Sequence, residues 1–474
     1  MVFDIASGNE ALTLIGGKEQ KIKKEDIVLR SGPDVLISHL FGPGDSTKIT
    51  DKTVDALYLF WFAEHISDRE IDSIVQDFKR LLSLIQSEKS TIETFEVQEA
   101  GSEFIVTPWD VKGNIDYDKL VRQFGTKKID EPLLKDMKAI AGEDHYFLKR
   151  KIFYSHMYLD EILKSHKKGE KFYLYTGRAP SGPVHLGHII PWLFTKWLQE
   201  KFDATLLFQI PDEEKFLFKD NLTLDDTRKW AYENILDIIA LGFDPKKTKI
   251  FLDTEYAGHM YKHACVVSKK ITYSTIKSTF GFESDRNIGE IFYTAMQSVP
   301  VLLPSVMEGK KTRVLIPCAI DQDVHFRLTR DVAESLGYYK PATILCRFLP
   351  GLQGMGEEGK MSSSAESTAI YTHDDPKIVK NKILKYAFSG GRDTVEEHRK
   401  LGGNPEIDVA YQWLTFFEED DAKLEKIYKD YKSGKLLSGE LKMLLVDKIN
   451  NFLTAHREKK EKAKKEIEKF MLRD

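Results

Sequence analysis

Two histidines three residues apart lie in the most informative stretch of the sequence. His185 and His188 belong to YTGRAPSGPVHLGH, residues 175–188, in which glycines and prolines separate an apolar strand from an apolar helix. A helix N-terminus offers unpaired N–H groups and a partial positive charge, both of which suit a phosphate group. Two imidazoles on the first turn can hydrogen-bond a phosphoryl group as its charge develops, and Gly187 allows a close approach of the backbone. The stretch therefore predicts a phosphate site.

The histidine pair also has simpler interpretations. A His-x-x-His pair can bind a metal ion, but no His, Cys or carboxylate follows at a fixed spacing to complete a ligand set. The two histidines can also act only as helix caps. We expect no metal-ligating residues in this chain.

A second stretch, GKMSSS at residues 359–364, combines a flexible glycine, one lysine and three hydroxyl groups. By itself it is typical of a solvated loop. It follows the last predicted strand, however, and the carboxyl ends of parallel strands meet at one edge of a sheet. We therefore expect Lys360 to face the HLGH stretch and to close over the phosphates of a nucleotide.

Short apolar strands that alternate with helices must position these two stretches. Such alternation predicts an α/β fold with a doubly wound parallel sheet of the Rossmann type, which binds ligands beyond the carboxyl ends of its strands. The predicted strands are residues 171–176, 204–210, 249–253, 313–317 and 342–346. The predicted helices between them are residues 185–202, 223–241, 288–299 and 321–337.

The pattern divides the chain into three parts. Residues 1–100 read as a small α/β module whose helix starts at a capping box formed by Ser67 and Glu70. Residues 101–375 carry the alternating pattern and form the expected catalytic domain. Residues 376–474 show no strands and are expected to form a helical domain.

Composition limits the class of protein. The 474 residues are 42% hydrophobic and 30% charged, with a net charge of −4, so a nucleic-acid partner must use local basic patches. Three widely spaced cysteines favour a reducing compartment. The N-terminus lacks a secretory signal pattern, and the longest apolar run, Ala56–Ala63, is too short to span a bilayer. We expect a cytoplasmic protein with no membrane contact.

HLGH and KMSSS together resemble the HIGH and KMSKS elements of class I aminoacyl-tRNA synthetases. FYLYTGRAPSG, LFQIPDEEKFLFKD, CAIDQDVHFRLTRDVA and AFSGGRDTVEEHR, in this order, are similar to the tryptophanyl-tRNA synthetases of the eukaryotic and archaeal type. The resemblance covers residues from about 103 to 474 and leaves the role of residues 1–100 unassigned.

The resemblance implies a role for each matching residue. Tyr175 and Gln209 match the residues around the indole N–H, a donor that needs an acceptor in a buried site. The residues that match those holding the α-amino group are Glu214, Gln297 and Gln322. The residues that match the adenosine and phosphate side are Gly177, Arg178, His185, Gly187 and His188. The residues that match the closing loop are Lys360, Met361, Ser362 and Ser363.

One position departs from the family pattern. Ser363 stands where KMSKS has its second lysine, so one phosphate-directed charge is missing from the loop. Lys215, next to Glu214 in DEEK, is the candidate to supply it. The competing interpretation is a surface lysine paired with Asp212 or Glu213.

The related tyrosine enzymes share the fold but place an aspartate three residues after the counterpart of Gln297, where this chain has Pro300. Two interpretations come from other classes of protein. A small-molecule nucleotidyltransferase would not need a KMSSS loop together with a helical C-terminal domain. A non-catalytic relative kept as a binding protein would not need the intact HLGH, KMSSS and Glu214. The resemblance further implies ATP with Mg²⁺, tRNA(Trp) and L-tryptophan as partners, and a homodimer.

Overall fold

A computed structural model describes residues 3–5, 10–15, 18–23, 105–106, 111–112, 116–354 and 369–473. The chain forms two compact units, Met1–Gly101 and Ser102–Asp474. In the first unit, strands β1 (Phe3–Ile5), β2 (Glu10–Ile15) and β3 (Lys18–Lys23) form an antiparallel sheet in that order. The predicted capping box at Ser67 and Glu70 lies outside the described residues.

The second unit is built on a seven-stranded sheet with the strand order β10-β9-β8-β11-β12-β7-β6. The five strands from β10 to β12 are parallel, whereas β7 and β6 are antiparallel to their neighbours. The strands of this unit, including a separate two-stranded β4–β5 pair, are β4 (Ile105–Val106), β5 (Val111–Lys112), β6 (Lys127–Lys128), β7 (Phe153–Met157), β8 (Phe172–Gly177), β9 (Thr205–Ile210), β10 (Thr248–Leu252), β11 (Arg313–Ala319) and β12 (Ala342–Cys346).

Helices connect these strands and follow them to the C-terminus. They are α1 (Tyr117–Gln123), α2 (Glu131–Ala141), α3 (Tyr146–Lys149), α4 (Leu159–His166), α5 (Leu186–Phe202), α6 (Asp212–Phe218), α7 (Leu224–Ala240), α8 (Asp253–Ser268), α9 (Tyr273–Phe280), α10 (Ile288–Met296), α11 (Val299–Met307), α12 (Asp323–Ala333), α13 (Pro376–Tyr386), α14 (Val395–Leu401), α15 (Val409–Phe417), α16 (Asp421–Lys432) and α17 (Ser438–Ala463). Among the described residues, no helix is both long and apolar enough to cross a membrane.

The parallel strands are apolar on both sides because helices cover both faces of the sheet. Successive residues alternate between two separate hydrophobic cores. Those facing one core are Leu174, Phe208, Ile250, Leu315 and Ile344. Those facing the other are Tyr175, Leu207, Phe251, Ile316 and Leu345. The predicted doubly wound α/β fold is therefore confirmed.

Several elements differ from the predicted ones. Strand β7 was not predicted and extends the sheet by pairing antiparallel with β12. The helix expected over 288–299 is two helices, α10 and α11, which are separated at Gln297 and Ser298. Pro300 lies in the first turn of α11, where its missing N–H costs no hydrogen bond. Inside a continuous helix over 288–299 and beyond, the missing N–H would remove a backbone hydrogen bond.

The C-terminal helices pack on the sheet-containing part of the same unit. The Trp413 indole donates to the Pro350 carbonyl at 2.9 Å, and Nε2 of His456 lies 3.0 Å from Asp237 Oδ1 on α7. The chain end then joins the sheet edge, since Ile250 N–H donates to the Phe470 carbonyl at 2.7 Å.

Candidate active site

A cavity of about 650 Å³ lies at the carboxyl ends of the parallel strands. Strands β9 and β10 lie on one side of β8, whereas β11 and β12 lie on the other, so the chain changes winding direction between β8 and β11. This is the position at which doubly wound sheets bind ligands, because the loops leave in opposite directions there and open a crevice.

The sequence-predicted site residues in the described ranges all line this cavity. They are Tyr175, Gly177, Arg178, His185, Gly187, His188, Gln209, Glu214, Lys215, Gln297 and Gln322. The other four, Lys360, Met361, Ser362 and Ser363, lie outside the described residues. The fold thus brings together residues of strands β8 and β9, helices α5 and α6, the end of α10 and the turn before α12. They are up to 147 positions apart in sequence, from Tyr175 to Gln322.

Tyr175 and Gln209 form a buried hydrogen-bonded pair in the floor of the cavity. They lie near the ends of β8 and β9, whose register pairs Gly177 with Gln209, and they are 1% and 0% exposed. The Tyr175 hydroxyl donates to Oε1 of Gln209, and Nε2 of Gln297 donates to the same hydroxyl at 3.0 Å. Burial raises the pKa of Tyr175 well above its ordinary value, so the phenol remains protonated.

Glycine at position 177 makes room for this pair. A Cβ atom at Gly177 would lie 3.2 Å from the Gln209 carbonyl oxygen and 3.6 Å from its Oε1. A larger residue would therefore press on the backbone carbonyl of Gln209, the residue that pairs with Tyr175.

The hydrogen bonds continue from Gln297 to a buried carboxylate. The Tyr293 hydroxyl lies 2.7 Å from Gln297 Oε1 and 3.0 Å from Glu214 Oε2, so its proton has two acceptors. The other oxygen of Glu214 accepts from Nζ of Lys215 at 2.6 Å. Burial alone would raise the pKa of Glu214, but the charge and hydrogen bond of Lys215 outweigh it and hold the pKa below its ordinary value.

Lys215 thus has a different partner from the one that the competing interpretation named. It pairs with Glu214 rather than with Asp212 or Glu213, and 19% of its side chain is exposed. Asp212 instead accepts from the backbone N–H of Thr254 at 3.0 Å.

His185 and His188 lie at the start of α5. The His185 backbone N–H donates to Nδ1 of His188 at 3.2 Å, and the two ring centroids are 3.5 Å apart. Because Nδ1 of His188 accepts, its neutral ring carries the proton on Nε2 and can donate from there. The capping interpretation is therefore correct, because His188 satisfies the backbone N–H of His185. Both histidines also line the cavity.

Described residues that follow the KMSSS stretch in sequence lie beside this turn. Leu186 N–H donates to the Ile370 carbonyl at 3.0 Å, and Thr372 N–H donates to the Val184 carbonyl at 2.9 Å. Before the KMSSS stretch in sequence, Arg347 and Phe348, which follow β12, also line the cavity.

Arg178 places a buried positive charge in the cavity wall. Its Nη1 donates to the Ala179 carbonyl, whereas Nε and Nη2 are buried and have no hydrogen-bond partner among the described residues. Burial lowers the pKa of Arg178 to about 10 against the attraction of Glu214, so the guanidinium is charged at neutral pH. Two unfilled donors on a buried cation suit the oxygens of a phosphate.

Sequence reasoning missed several residues of the site. Tyr293 lies one helical turn before Gln297, a spacing that could have suggested it. Asp253 is the last residue of the predicted strand KIFLD, at the strand end where ligand-binding residues are expected. His325 lines the cavity with a pKa that burial lowers to about 4, and no sequence pattern indicated it.

Within the described ranges, no group of three or more His, Cys, Asp and Glu side chains is arranged to hold a metal ion. The site consists of a hydrogen-bonding floor, a partly buried Glu–Lys pair, and a helix start with two imidazoles and a buried arginine. Such a site can hold an aromatic amine-bearing molecule next to a nucleotide.

Comparisons with known proteins agree with this description. Residues 167–454 match the family model of the class I tRNA synthetases for W and Y. The chain is 56% identical over 369 residues to the tryptophan–tRNA ligase of Saccharolobus solfataricus, which covers 78% of this chain and 95% of that protein. The tryptophanyl-tRNA synthetase of Giardia lamblia matches with a TM-score of 0.71 and 40% identity, over 76% of this chain and 96% of that one. The enzyme from Encephalitozoon cuniculi, solved with bound tryptophan, matches with a TM-score of 0.70 and 37% identity, over 76% and 99%.

Proposed function

The chain belongs to the class I tryptophanyl-tRNA synthetases, and from this premise we propose how its cavity residues divide the reaction between them. The protein is a tryptophan–tRNA ligase that uses ATP, so the predicted family and function are confirmed. The relatives named above, 37–56% identical to this chain, are tryptophan enzymes, which sets aside the tyrosine alternative.

The hydrogen-bonded floor of the cavity binds the tryptophan side chain. Gln209 Oε1 and the Tyr175 oxygen are acceptors that suit the indole N–H. Glu214, with Gln297 and Gln322, receives the α-amino group, because an ionised buried carboxylate attracts an ammonium. The single observation that carries this proposal is the continuous set of hydrogen bonds from Gln209 through Tyr175, Gln297 and Tyr293 to Glu214.

The start of α5 binds the nucleotide. Gly177 and Gly187 allow a close approach, and Arg178, His185 and His188 offer donors to the phosphates. Lys360, with Met361, Ser362 and Ser363, closes from the other side. The contacts of Ile370 and Thr372 with residues 184–186 support this, because they hold the residues that follow this stretch in sequence against the start of α5.

The chemistry then needs positioning more than acid–base catalysis. The tryptophan carboxylate attacks the α-phosphorus of ATP, the bond to the β-phosphate oxygen breaks, and pyrophosphate leaves with the electron pair. His185, His188, Lys215 and Lys360 stabilise the charge that moves onto the oxygens. A ribose hydroxyl of the tRNA terminus next attacks the acyl carbon and releases AMP. Mg²⁺ enters with ATP and is held mostly by phosphate oxygens and water.

We assign one role to each of the three parts of the chain. Residues 101–375 are catalytic, residues 376–474 bind the anticodon region of tRNA(Trp), and residues 1–100 are an appended module.

The protein acts in the cytoplasm as a homodimer. Support for the dimer comes from Val266 and Val306, which are 48% and 37% exposed and share a shallow apolar depression. Sedimentation of the parent and of a Val266→Glu variant tests the dimer and this surface. A dimer that used this surface should dissociate in the variant.

ATP–pyrophosphate exchange with each of the twenty amino acids tests the proposed function. Exchange with tryptophan alone, followed by tRNA(Trp) charging, is the expected result. Adenylylation of another small molecule without tryptophan-dependent exchange would contradict it.

A further inference from the structure

The amide of Gln209 is held at both ends. Its Nε2 donates to Oδ2 of Asp253 at 2.6 Å, and its Oε1 accepts from the Tyr175 hydroxyl. Gln209 and Asp253 are both 0% exposed. A rotation of the amide by 180° would exchange its oxygen and its N–H₂ group. The N–H₂ group would then face Tyr175 and the cavity, and the oxygen would face the Asp253 carboxylate, so both hydrogen bonds would be lost.

The sheet register places Asp253 under Gln209. Strand β10 runs parallel to β9 with Phe251 opposite Gln209, and Asp253 begins α8 directly after this strand. The neighbouring carboxylate, Asp212, is engaged elsewhere, because Thr254 donates to it from its backbone N–H at 3.0 Å and from its hydroxyl at 2.5 Å.

A third carboxyl group, that of Glu213, lies within hydrogen-bonding reach of Asp253. Oδ1 of Asp253 and Oε2 of Glu213 are buried and accept no hydrogen bond from another donor in the described residues. Two adjacent buried carboxyl groups cannot both ionise, so they must share a proton. Burial raises the pKa of Glu213 well above its ordinary value and that of Asp253 to about 7, where the hydrogen bond from Gln209 opposes the rise. The hydrogen bond that Gln209 donates to Asp253 favours the ionised form of that carboxyl group, so we place the shared proton on Glu213 and treat Asp253 as the acceptor.

We propose that Asp253, which shares one proton with Glu213, is a positioning residue that fixes the Gln209 amide with its oxygen toward the substrate and so makes the cavity selective for a ring N–H. This inference rests on the role proposed above for Gln209. Asp253 does not touch the substrate, and it acts through the orientation of one amide.

The test compares tryptophan with the analogue whose indole N–H is replaced by sulfur, using ATP–pyrophosphate exchange. The measured quantity is the ratio of the two kcat/KM values. In Asp253→Leu the acceptor is lost and Gln209 can turn, so the ratio should fall on the order of 10- to 100-fold, the value of one buried hydrogen bond. Most of the change should appear as a higher KM for tryptophan rather than a lower kcat.

Asp253→Asn is the matched variant. An asparagine can accept from Gln209 with its oxygen and donate to Glu213 with its amide, which reproduces the shared proton. It should keep the ratio of the parent. A parent-like ratio in Asp253→Leu, or an equal fall in Asp253→Asn, would overturn the inference.

Asp253→Leu leaves the Gln209 amide N–H₂ buried without an acceptor, so it risks misfolding. Gln209→Met/Asp253→Leu replaces both partners by apolar side chains and avoids this cost. Its ratio should equal that of Gln209→Met alone, whereas a further fall would show that Asp253 acts otherwise than through Gln209.

Asp237→Asn, at a buried carboxylate that contacts His456 instead, is the control and should keep the ratio. A parent without tryptophan-dependent exchange would contradict the proposed function, which the variant ratios do not test.

Discussion

The Lys215 ammonium lies 2.6 Å from the Glu214 carboxylate, which is the group that we propose to receive the substrate's α-amino group. The two side chains are 19% and 12% exposed, so little water screens the pair. Tryptophan must therefore compete with Lys215 for Glu214. The lysine that it displaces becomes available to the phosphates of ATP, which would couple amino-acid binding to nucleotide activation.

Lys215→Ala should slow adenylate formation on the order of 10²- to 10³-fold, the usual effect of losing one charge-stabilising contact. The KM for tryptophan should stay nearly the same, because the loss of a competitor for Glu214 is offset by the loss of the charge that keeps Glu214 ionised. Single-turnover adenylate formation measures the first effect. Adding Ser363→Lys to this variant should restore part of the rate. A rate equal to that of the parent, or a defect in tryptophan binding alone, would contradict the role of Lys215.

Lys360→Ala should lower kcat far more than it raises the KM for tryptophan, because the loop is expected to act on the transition state. The expected loss is about 2.7–4 kcal/mol, or on the order of 10²- to 10³-fold in rate. Steady-state exchange kinetics measure both constants. An unchanged kcat with a raised KM for tryptophan would show that Lys360 does not act in this way.

Arg178→Met should raise the KM for ATP without destabilising the fold. The buried guanidinium has two nitrogens, Nε and Nη2, without a partner in the described residues, so an apolar replacement should leave the free energy of unfolding unchanged or raise it by about 1–3 kcal/mol. Denaturant unfolding and exchange kinetics measure the two effects.

Arg330→Met is the contrasting variant. Arg330 is equally buried but donates to Asp323 at 3.0 and 2.6 Å, so its loss leaves an uncompensated carboxylate and should cost about 3–5 kcal/mol. Equal destabilisation by both substitutions would mean that Arg178 stabilises the fold.

Glu418 should make the folded chain sensitive to acid. Burial alone would raise its pKa, but hydrogen bonds from Lys423, the Asp420 backbone and Lys448 outweigh it and lower the pKa from 4.5 to about 2. Because the folded-state pKa is depressed, this stabilisation is complete above about pH 4.5 and is lost as the pH falls toward 2. Because Lys423 and Lys448 are 55% and 32% exposed, water screens both pairs and the contribution is on the order of 1–2 kcal/mol.

Glu418→Gln should therefore be less stable than the parent at pH 7, and the two free energies of unfolding should converge toward pH 2. Glu425→Gln is the control, since its exposed pair with Lys429 should contribute only about 0–1 kcal/mol. A constant difference between Glu418→Gln and the parent across this pH range would contradict the assignment.

The sequence by itself determined the local features of this protein. The spacing of apolar residues predicted the parallel strands and the helix that begins after His185, because helical and strand periodicities depend only on near neighbours. The glycines and histidines of residues 175–188, with Lys360 after the last strand, predicted a nucleotide site at one edge of the sheet. The resemblance of several motifs in order then predicted the family.

Only the tertiary structure decided which partner each polar side chain has. Gln209 could accept from many donors, and the register of β8, β9 and β10 selected Tyr175 on one side and Asp253 on the other. Lys215 had three adjacent carboxylates within its reach in sequence, and the packing of α6 paired it with Glu214. Strand β7 escaped prediction because antiparallel pairing with β12 joins residues nearly 190 positions apart. Hydrogen bonds between distant residues depend on register and packing, and these are properties of the assembled sheet and not of any one segment.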